Sequence, residues 1–195
     1  MNPTLYIIAG CNGAGKTTAS FTILPEILGV KEFINADEIA KGLSPFQPEK
    51  VAIEAGRIML NRIDELISKK HDFAFETTLS TRSYVGKIRQ AKKLGYKIVL
   101  VFFWLESVEL AKERVAIRVS EGGHNIPEET IVRRYHKGLH NFFHLYKEMV
   151  DEWLFINNTE GPPQLISQLK ANGTVLVKNE KIWSDLTNYY FYDKN

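Results

Sequence analysis

The sequence predicts an α/β protein, a mostly parallel five-stranded sheet sandwiched between two layers of helices. Three observations point there. Short apolar runs alternate with helical segments along most of the chain. The run Tyr96–Leu105 is almost continuously apolar, the pattern of a strand covered on both faces. A glycine-rich segment, Gly10–Thr17, sits between a strand-like run and a helix-like one.

Taken in order, Leu5–Ala9 is a short buried strand, and a helix is expected over about Lys16–Leu28. Glu32–Asn35 forms a second strand ending at Asp37, and Leu43–Pro48, with two prolines, a loop. Glu49–Lys70 carries the helical apolar spacing Ala52, Ala55, Met59, Ile63, Leu66. Asp72–Phe75 is the third strand, Thr81–Leu94 a helix stopped by Gly95, and Tyr96–Leu105 the fourth strand. Ser107–Ser120 is helical, and Glu121-Gly122-Gly123-His124 breaks it like a hinge. The next helix starts with Asn125 as cap, Pro127 in its first turn and Glu128 at the capping-box position, and runs to about Val150. Trp153–Asn157 is the fifth strand, and Gly173–Trp183 reads as a small C-terminal hairpin turning at Asn179-Glu180.

A length of 195 residues fits one domain, 1–195, with a sizeable core. Apolar residues at 44% and charged residues at 25% are ordinary globular usage and exclude bulk disorder. With 25 basic and 23 acidic side chains, the near balance gives no ground by itself for a nucleic-acid partner. The lone Cys11 excludes an internal disulfide and a cysteine zinc cage. No apolar run approaches the roughly 20 residues that span a bilayer. The N-terminal segment lacks a basic n-region and a long apolar stretch, so a cytoplasmic location is expected.

The spacing G-x4-G-K-T is met by Gly10, Gly15, Lys16 and Thr17. Glycines let backbone N–H groups turn inward around phosphates, and the following helix adds its dipole. Such a loop binds a nucleoside triphosphate: Gly10, Cys11, Asn12, Gly13, Ala14, Gly15, Lys16, Thr17 and Thr18 form the nucleotide set, with Lys16 at the β and γ phosphates and Thr17 on Mg2+. The fold expected is therefore the P-loop NTPase three-layer sandwich. Cys11 is a small filler in this loop or a thiol made reactive by the helix end.

No N-K-x-D motif of a GTPase is present. A small kinase instead needs a carboxylate near its acceptor and arginines on a lid. Asp37, at a strand end, is placed to act as general base, or else caps the helix that follows. Glu54, Arg57 and Asn61 share one helical face that lines an acceptor pocket or faces solvent. Glu76 and Thr78 end a strand beside the phosphate loop, suited to an acceptor pocket or to the surroundings of magnesium, and Arg82 is a further acceptor-side candidate. Arg114 and Arg118 precede the glycine break, and Arg133 and Arg134 follow it. This lid, about 114–135, would close arginines over the γ-phosphate or form a salt-bridged surface. His136, His140 and His144 form a row without matching carboxylates or cysteines, so a packed or solvated stripe is expected. Asn157-Asn158-Thr159 lies where an adenine could pass.

These segments together resemble the zeta-toxin-like P-loop kinases, in the compact branch often labelled predicted ABC-type ATPases. The resemblance rests on Gly10–Thr18, Asn35-Ala36-Asp37-Glu38, Glu54-Ala55-Gly56-Arg57, Phe73–Ser80, and Arg114–Tyr135 with its Gly122-Gly123-His124 break, and covers most of residues 1–160. It implies an ATP-dependent kinase of the toxin–antitoxin type that phosphorylates a sugar hydroxyl, in zeta toxins that of UDP-N-acetylglucosamine, and an antitoxin partner. It implies Lys16 and Thr17 as nucleotide and magnesium contacts, Asp37 as catalytic base, Glu76 and Thr78 on the acceptor side, and arginines on both sides of the break as the lid, of which Arg118 and Arg134, with Lys16 and Asp37, are taken here as catalytic and Arg114 as a nucleotide contact. One position departs: zeta toxins carry arginine two residues beyond the threonine of the strand-end motif, where this chain has Ser80, with Arg82 two further on.

The function expected is transfer of the γ-phosphate of ATP to a small-molecule hydroxyl. Two alternatives remain at this point. One is an NTPase switch without a small acceptor. The other is a polynucleotide kinase, suggested by the basic stretch Arg82, Lys87, Arg89, Lys92, Lys93, Lys97.

Overall fold

A computed structural model describes residues 2–123 and 125–192. Its strands are β1 (Thr4–Gly10), β2 (Phe33–Ile34), β3 (Phe73–Thr77), β4 (Lys97–Trp104), β5 (Glu152–Asn157), β6 (Gln164–Leu169) and β7 (Val175–Val177). They form one sheet in the order β2-β3-β1-β4-β5-β6-β7. The first five are parallel, as the alternation of strands and helices requires. β6 and β7 extend the sheet antiparallel.

The helices are α1 (Lys16–Thr22), α2 (Ala36–Leu43), α3 (Ala52–Lys69), α4 (Val85–Lys93), α5 (Val108–Ser120), α6 (Glu128–Asn141) and α7 (Glu180–Tyr192). α1 continues into a π turn at Ile23–Ile27, and α6 into another at Phe142–Tyr146. Of the apolar spacing read for α3, Ala55, Met59, Ile63 and Leu66 are its buried face, whereas Ala52, at the start of the helix, is exposed.

The sheet thus has seven strands rather than five. β7 has only three residues, and the polar Gln164, Ser167 and Gln168 of β6 hide that strand among loop signals. The hairpin expected over Gly173–Trp183 does not form, since α7 starts at Glu180; the hairpin present joins β6 to β7 through Lys170–Gly173, where Gly173 has φ +79° and the Asn172 side chain accepts from the Thr174 N–H at 3.1 Å. Asn179-Glu180 is not a turn. Asn179 caps α7, its Oδ1 accepting from the Ile182 N–H at 3.1 Å, the other common use of asparagine. The expected Asn125 cap is also absent: α6 starts after Pro127, whose carbonyl accepts from Thr130 and Ile131. α4 starts at Val85 rather than Thr81, because the preceding segment is held in a bend, with the Tyr146 hydroxyl donating to the Thr81 carbonyl at 2.7 Å.

β1 lies between β3 and β4, with Ala9 opposite Thr77 and Gly10 opposite Phe103. The chain leaves β1 toward β2 on one side and later crosses to β4 on the other. The carboxyl ends of these strands therefore open a crevice at a topological switch point. Beneath it lies an aromatic core. Phe155 stacks on Phe102 at 5.3 Å and meets Phe142 at 5.1 Å, and Trp183 of α7 stacks on Trp153 at 5.3 Å. Phe155 is fully buried. We expect Phe155→Ala to cost about 3–5 kcal/mol, read as a fall in the urea unfolding midpoint.

Candidate active site

The phosphate loop is built from glycines in conformations other residues rarely adopt. Gly13 and Gly15 both have φ +79°. A Cβ on Gly10 would lie 2.2 Å from the Phe103 carbonyl oxygen, so this glycine is also required by the approach of β4. Lys16 is buried at 6% exposure, and its ammonium donates back to the Cys11 carbonyl at 2.9 Å, bridging the loop.

Three donors converge on Glu76 at the end of β3. Thr17 Oγ1 donates to Glu76 Oε2 at 2.7 Å, Asn35 Nδ2 to the same oxygen at 2.9 Å, and Lys16 Nζ lies 3.5 Å from Oε1. A hydroxyl and a carboxylate at the mouth of a phosphate loop are hard oxygen donors, the kind magnesium takes together with phosphate oxygens and water. No cluster of three or more His, Cys, Asp or Glu side chains exists among the described residues. The donor set therefore fits a metal bound mainly through a nucleotide.

Asp37 follows β2 in the first turn of α2 and is exposed. The cap of that helix is Asn35, whose Oδ1 accepts from the N–H groups of Asp37 at 2.8 Å and Glu38 at 3.4 Å. The Asp37 carboxylate is therefore not spent as the cap.

Two cavities meet here. One, of about 280 Å³, runs along the phosphate loop and Thr18 to Arg114, Ile117, Arg118 and Glu121. The other, of about 420 Å³, lies between α2, α3 and the segment after β3, lined by Arg57, Thr78, Ser80, Tyr84, Arg133 and Arg134 among others. Asn12, Lys16, Asp37 and Glu76 line both. Thr78 Oγ1 and Ser80 Oγ are 2.9 Å apart on the second wall. Between them Leu79 is fully buried at φ +59°, a strained position. It is pinned by the Asn141 side chain, which donates to its carbonyl at 2.8 Å.

The lid arginines divide. Arg134 donates to Asn12 Oδ1 at 3.2 Å, and burial holds its guanidinium below the usual arginine value, with Asp37 opposing. Arg118 reaches the nucleotide cavity from α5. Arg114 lines that cavity too, but donates to the carbonyls of Asn158 at 2.9 Å and Thr159 at 2.6 Å. The glycine break has a structural cause: Gly122 N–H donates to Val119 and Gly123 N–H to Arg118, closing α5 with a Schellman cap. Gly122 has φ +89°, and a Cβ on Gly123 would lie 2.6 Å from the Arg118 side chain. The pair thus orients Arg118, while His124 lies outside the described residues.

Several expectations are corrected. Glu54 and Arg82 are exposed and line neither cavity; Glu54 lies on the solvent side of α3, and Arg82 lies near His140 and Tyr146. Asn158 is a support rather than a free adenine contact: its Nδ2 donates to the Ala14 carbonyl at 2.8 Å, bracing the loop, and its N–H is taken by Trp104. Half of the basic stretch is paired: Lys87 with Asp64, Lys92 with Asp151 at 3.0 Å, and Lys97 with Glu152. His140 and His144 stack at 4.2 Å. Asn35 and Asn158 carry roles in the site that sequence reasoning does not assign. Their one available signal is position, an asparagine at the end of a strand. Cys11 is the filler, not a reactive thiol: it is 5% exposed, and burial pushes its pKa up to about 11.

Fold and site together define a P-loop protein of the small-kinase type. Residues 1–165 match the family model of the zeta toxins, and the chain belongs to that family. An uncharacterized protein of Haemophilus influenzae is 33% identical over 127 residues, 65% of this chain and 88% of that one. Among solved structures, the AvrRxo1-ORF1:AvrRxo1-ORF2 complex with sulphate ions matches with a TM-score of 0.79 at 18% identity, over 95% of this chain. This chain spans 64% of that relative's length. The PezAT toxin–antitoxin system of Streptococcus pneumoniae matches with a TM-score of 0.70 at 17% identity, over 100% of this chain and 80% of that one. At these identities the likeness is one of fold.

With the thiol titrating near 11, only about one Cys11 in a thousand is thiolate at pH 8. Iodoacetamide labelling of the folded protein, followed by mass spectrometry, is expected to be negligible at pH 8 with or without ATP.

Proposed function

We propose that the chain is an ATP-dependent kinase that transfers the γ-phosphoryl group to a hydroxyl of a small molecule. The observation that carries this is the pair of cavities joined at Asn12, Lys16, Asp37 and Glu76. A nucleotide in the first would point its terminal phosphate at the second. An NTPase switch has no need of a second built cavity. A polynucleotide kinase loses support with the pairing of Lys87, Lys92 and Lys97. An ATP complex of AvrRxo1-ORF1:-ORF2 supports ATP as donor.

In this mechanism Gly10–Thr18 cradle the triphosphate, and Lys16 meets its β and γ oxygens. Thr17 and Glu76 would hold Mg2+, which neutralises charge on those oxygens when bound. Asp37 takes the proton of the acceptor hydroxyl as that oxygen bonds the γ phosphorus. The bond from the γ phosphorus to the β–γ bridging oxygen breaks, and ADP leaves with its electron pair. Arg134 and Arg118, at opposite ends of the lid, stabilise the transferring group, while Arg114 keeps the wall after β5 in place.

The acceptor cavity presents Lys16, Arg57, Arg133 and Arg134 against Asp37 and Glu76. That excess of cations suits an acceptor carrying phosphate, such as a nucleotide sugar of the UDP-N-acetylglucosamine kind. Thr78 and Ser80 offer it hydroxyls, where zeta toxins offer threonine and arginine. Relatives solved as toxin–antitoxin systems support an antitoxin protein as partner. No described helix is long and apolar enough to cross a membrane.

Incubation with γ-labelled ATP and a bacterial metabolite extract tests the proposal. Lys16→Ala should abolish binding of mant-ATP. Asp37→Ala should keep mant-ATP affinity within about threefold and lower transfer by about 10²-fold or more. Full transfer by Asp37→Ala would remove Asp37 as the base, and no labelled small molecule from wild type would refute the kinase assignment.

A further inference from the structure

Asn35 is buried at 6% exposure, and both ends of its side-chain amide are used. Oδ1 accepts from the N–H groups of Asp37 and Glu38, and Nδ2 donates to Glu76 Oε2. Chemistry fixes this orientation. A flipped amide would set its NH2 against two N–H donors and its oxygen against a carboxylate. Each end lands on a different half of the site. Through Oδ1 the side chain sets the first turn of α2, and with it Asp37. Through Nδ2 it orients the carboxylate that also holds Thr17 at 2.7 Å and faces Lys16 at 3.5 Å. β2 supplies little restraint here, because it is two residues long and lies at the sheet edge.

We propose that Asn35 is a positioning residue that locks the acceptor-side base Asp37 to the donor-side group formed by Glu76, Thr17 and Lys16. It rests on the kinase assignment above for the role of Asp37, but the contact with Glu76 stands apart from it. The proposal also accounts for the residue type. Asp and Ser cap helices as well as Asn does. Asn accepts through Oδ1 and donates through Nδ2, whereas Ser has one shorter hydroxyl for both tasks and Asp would place a second carboxylate against Glu76.

Three variants separate coupling from capping. Asn35→Ser and Asn35→Asp keep a good cap but lose the amide that reaches Glu76, the Ser hydroxyl being one bond shorter and engaged at the cap and the Asp carboxylate having no proton to donate, whereas Asn35→Ala loses both functions. Transfer from γ-labelled ATP into the small-molecule fraction of the extract is followed against ATP concentration. For the Ser and Asp variants we expect apparent kcat to fall at least about tenfold, the worth of one hydrogen bond to a charged group. The apparent KM for ATP should change less than about threefold, because the loop backbone that holds the phosphates is untouched. Their thermal unfolding midpoints should stay above that of Asn35→Ala.

Wild-type kcat in either capped variant would overturn the proposal, since a cap alone would then suffice. So would unfolding midpoints as low as that of Asn35→Ala, which would make the loss one of folding. A double-mutant cycle of Asn35→Ser with Glu76→Ala, read on the unfolding midpoint, tests the coupling without catalysis. Non-additive shifts support the coupling and additive shifts overturn it. If wild type transfers no label, the kinase assignment fails and the cycle alone decides for Asn35.

Discussion

A carboxylate largely withdrawn from water at the end of a strand must be surrounded by donors, and Glu76 meets that demand by drawing three elements together. Its side chain is 11% exposed, and it sits between the phosphate loop, the end of β2 and the floor of both cavities. Thr17 and Lys16 come from the first turn of α1, Asn35 from the end of β2, and Glu76 itself from β3. None of these elements is close to another in sequence. The two cavities are therefore joined around one negative charge.

A further set of hydrogen bonds holds the walls. Asn158 braces the loop from the end of β5, and Arg114 braces the segment containing Asn158 from α5. On the acceptor side, α6 comes so close that a Cβ on Gly138 would lie 2.5 Å from the Thr78 carbonyl oxygen. Asn141, one turn further on, holds the strained Leu79. α6 thus carries Arg134 to the phosphate loop and shapes the acceptor wall with the same face. One helix therefore touches both the phosphate loop and the segment after β3.

How much of this can be read from the chain differs by kind of feature. The phosphate loop is fully readable, because its glycines answer to local backbone geometry. So are the parallel strands, whose apolar runs answer to burial on both faces. Asp37 is readable as a strand-end carboxylate. The places of Glu54 and Arg82 are not, because helical spacing says which residues share a face but not what that face meets. The glycine pair is visible, but its use as a Schellman cap depends on how α5 ends. Asn179 reads as a turn residue, because asparagine serves turns and helix caps by the same local hydrogen bonds.

The sequence by itself determined the fold class, the triphosphate loop and membership of a kinase-like family, since each is encoded in residues adjacent along the chain. The tertiary structure decided which polar side chains meet. It brought Asn35 and Thr17 onto Glu76, tied Arg114 and Asn158 to backbone carbonyls at the cavity wall, and left Arg82 outside both cavities. Those outcomes depend on distances between elements far apart in sequence, and a charge largely withdrawn from water settles them by recruiting whatever donors the packing places within reach.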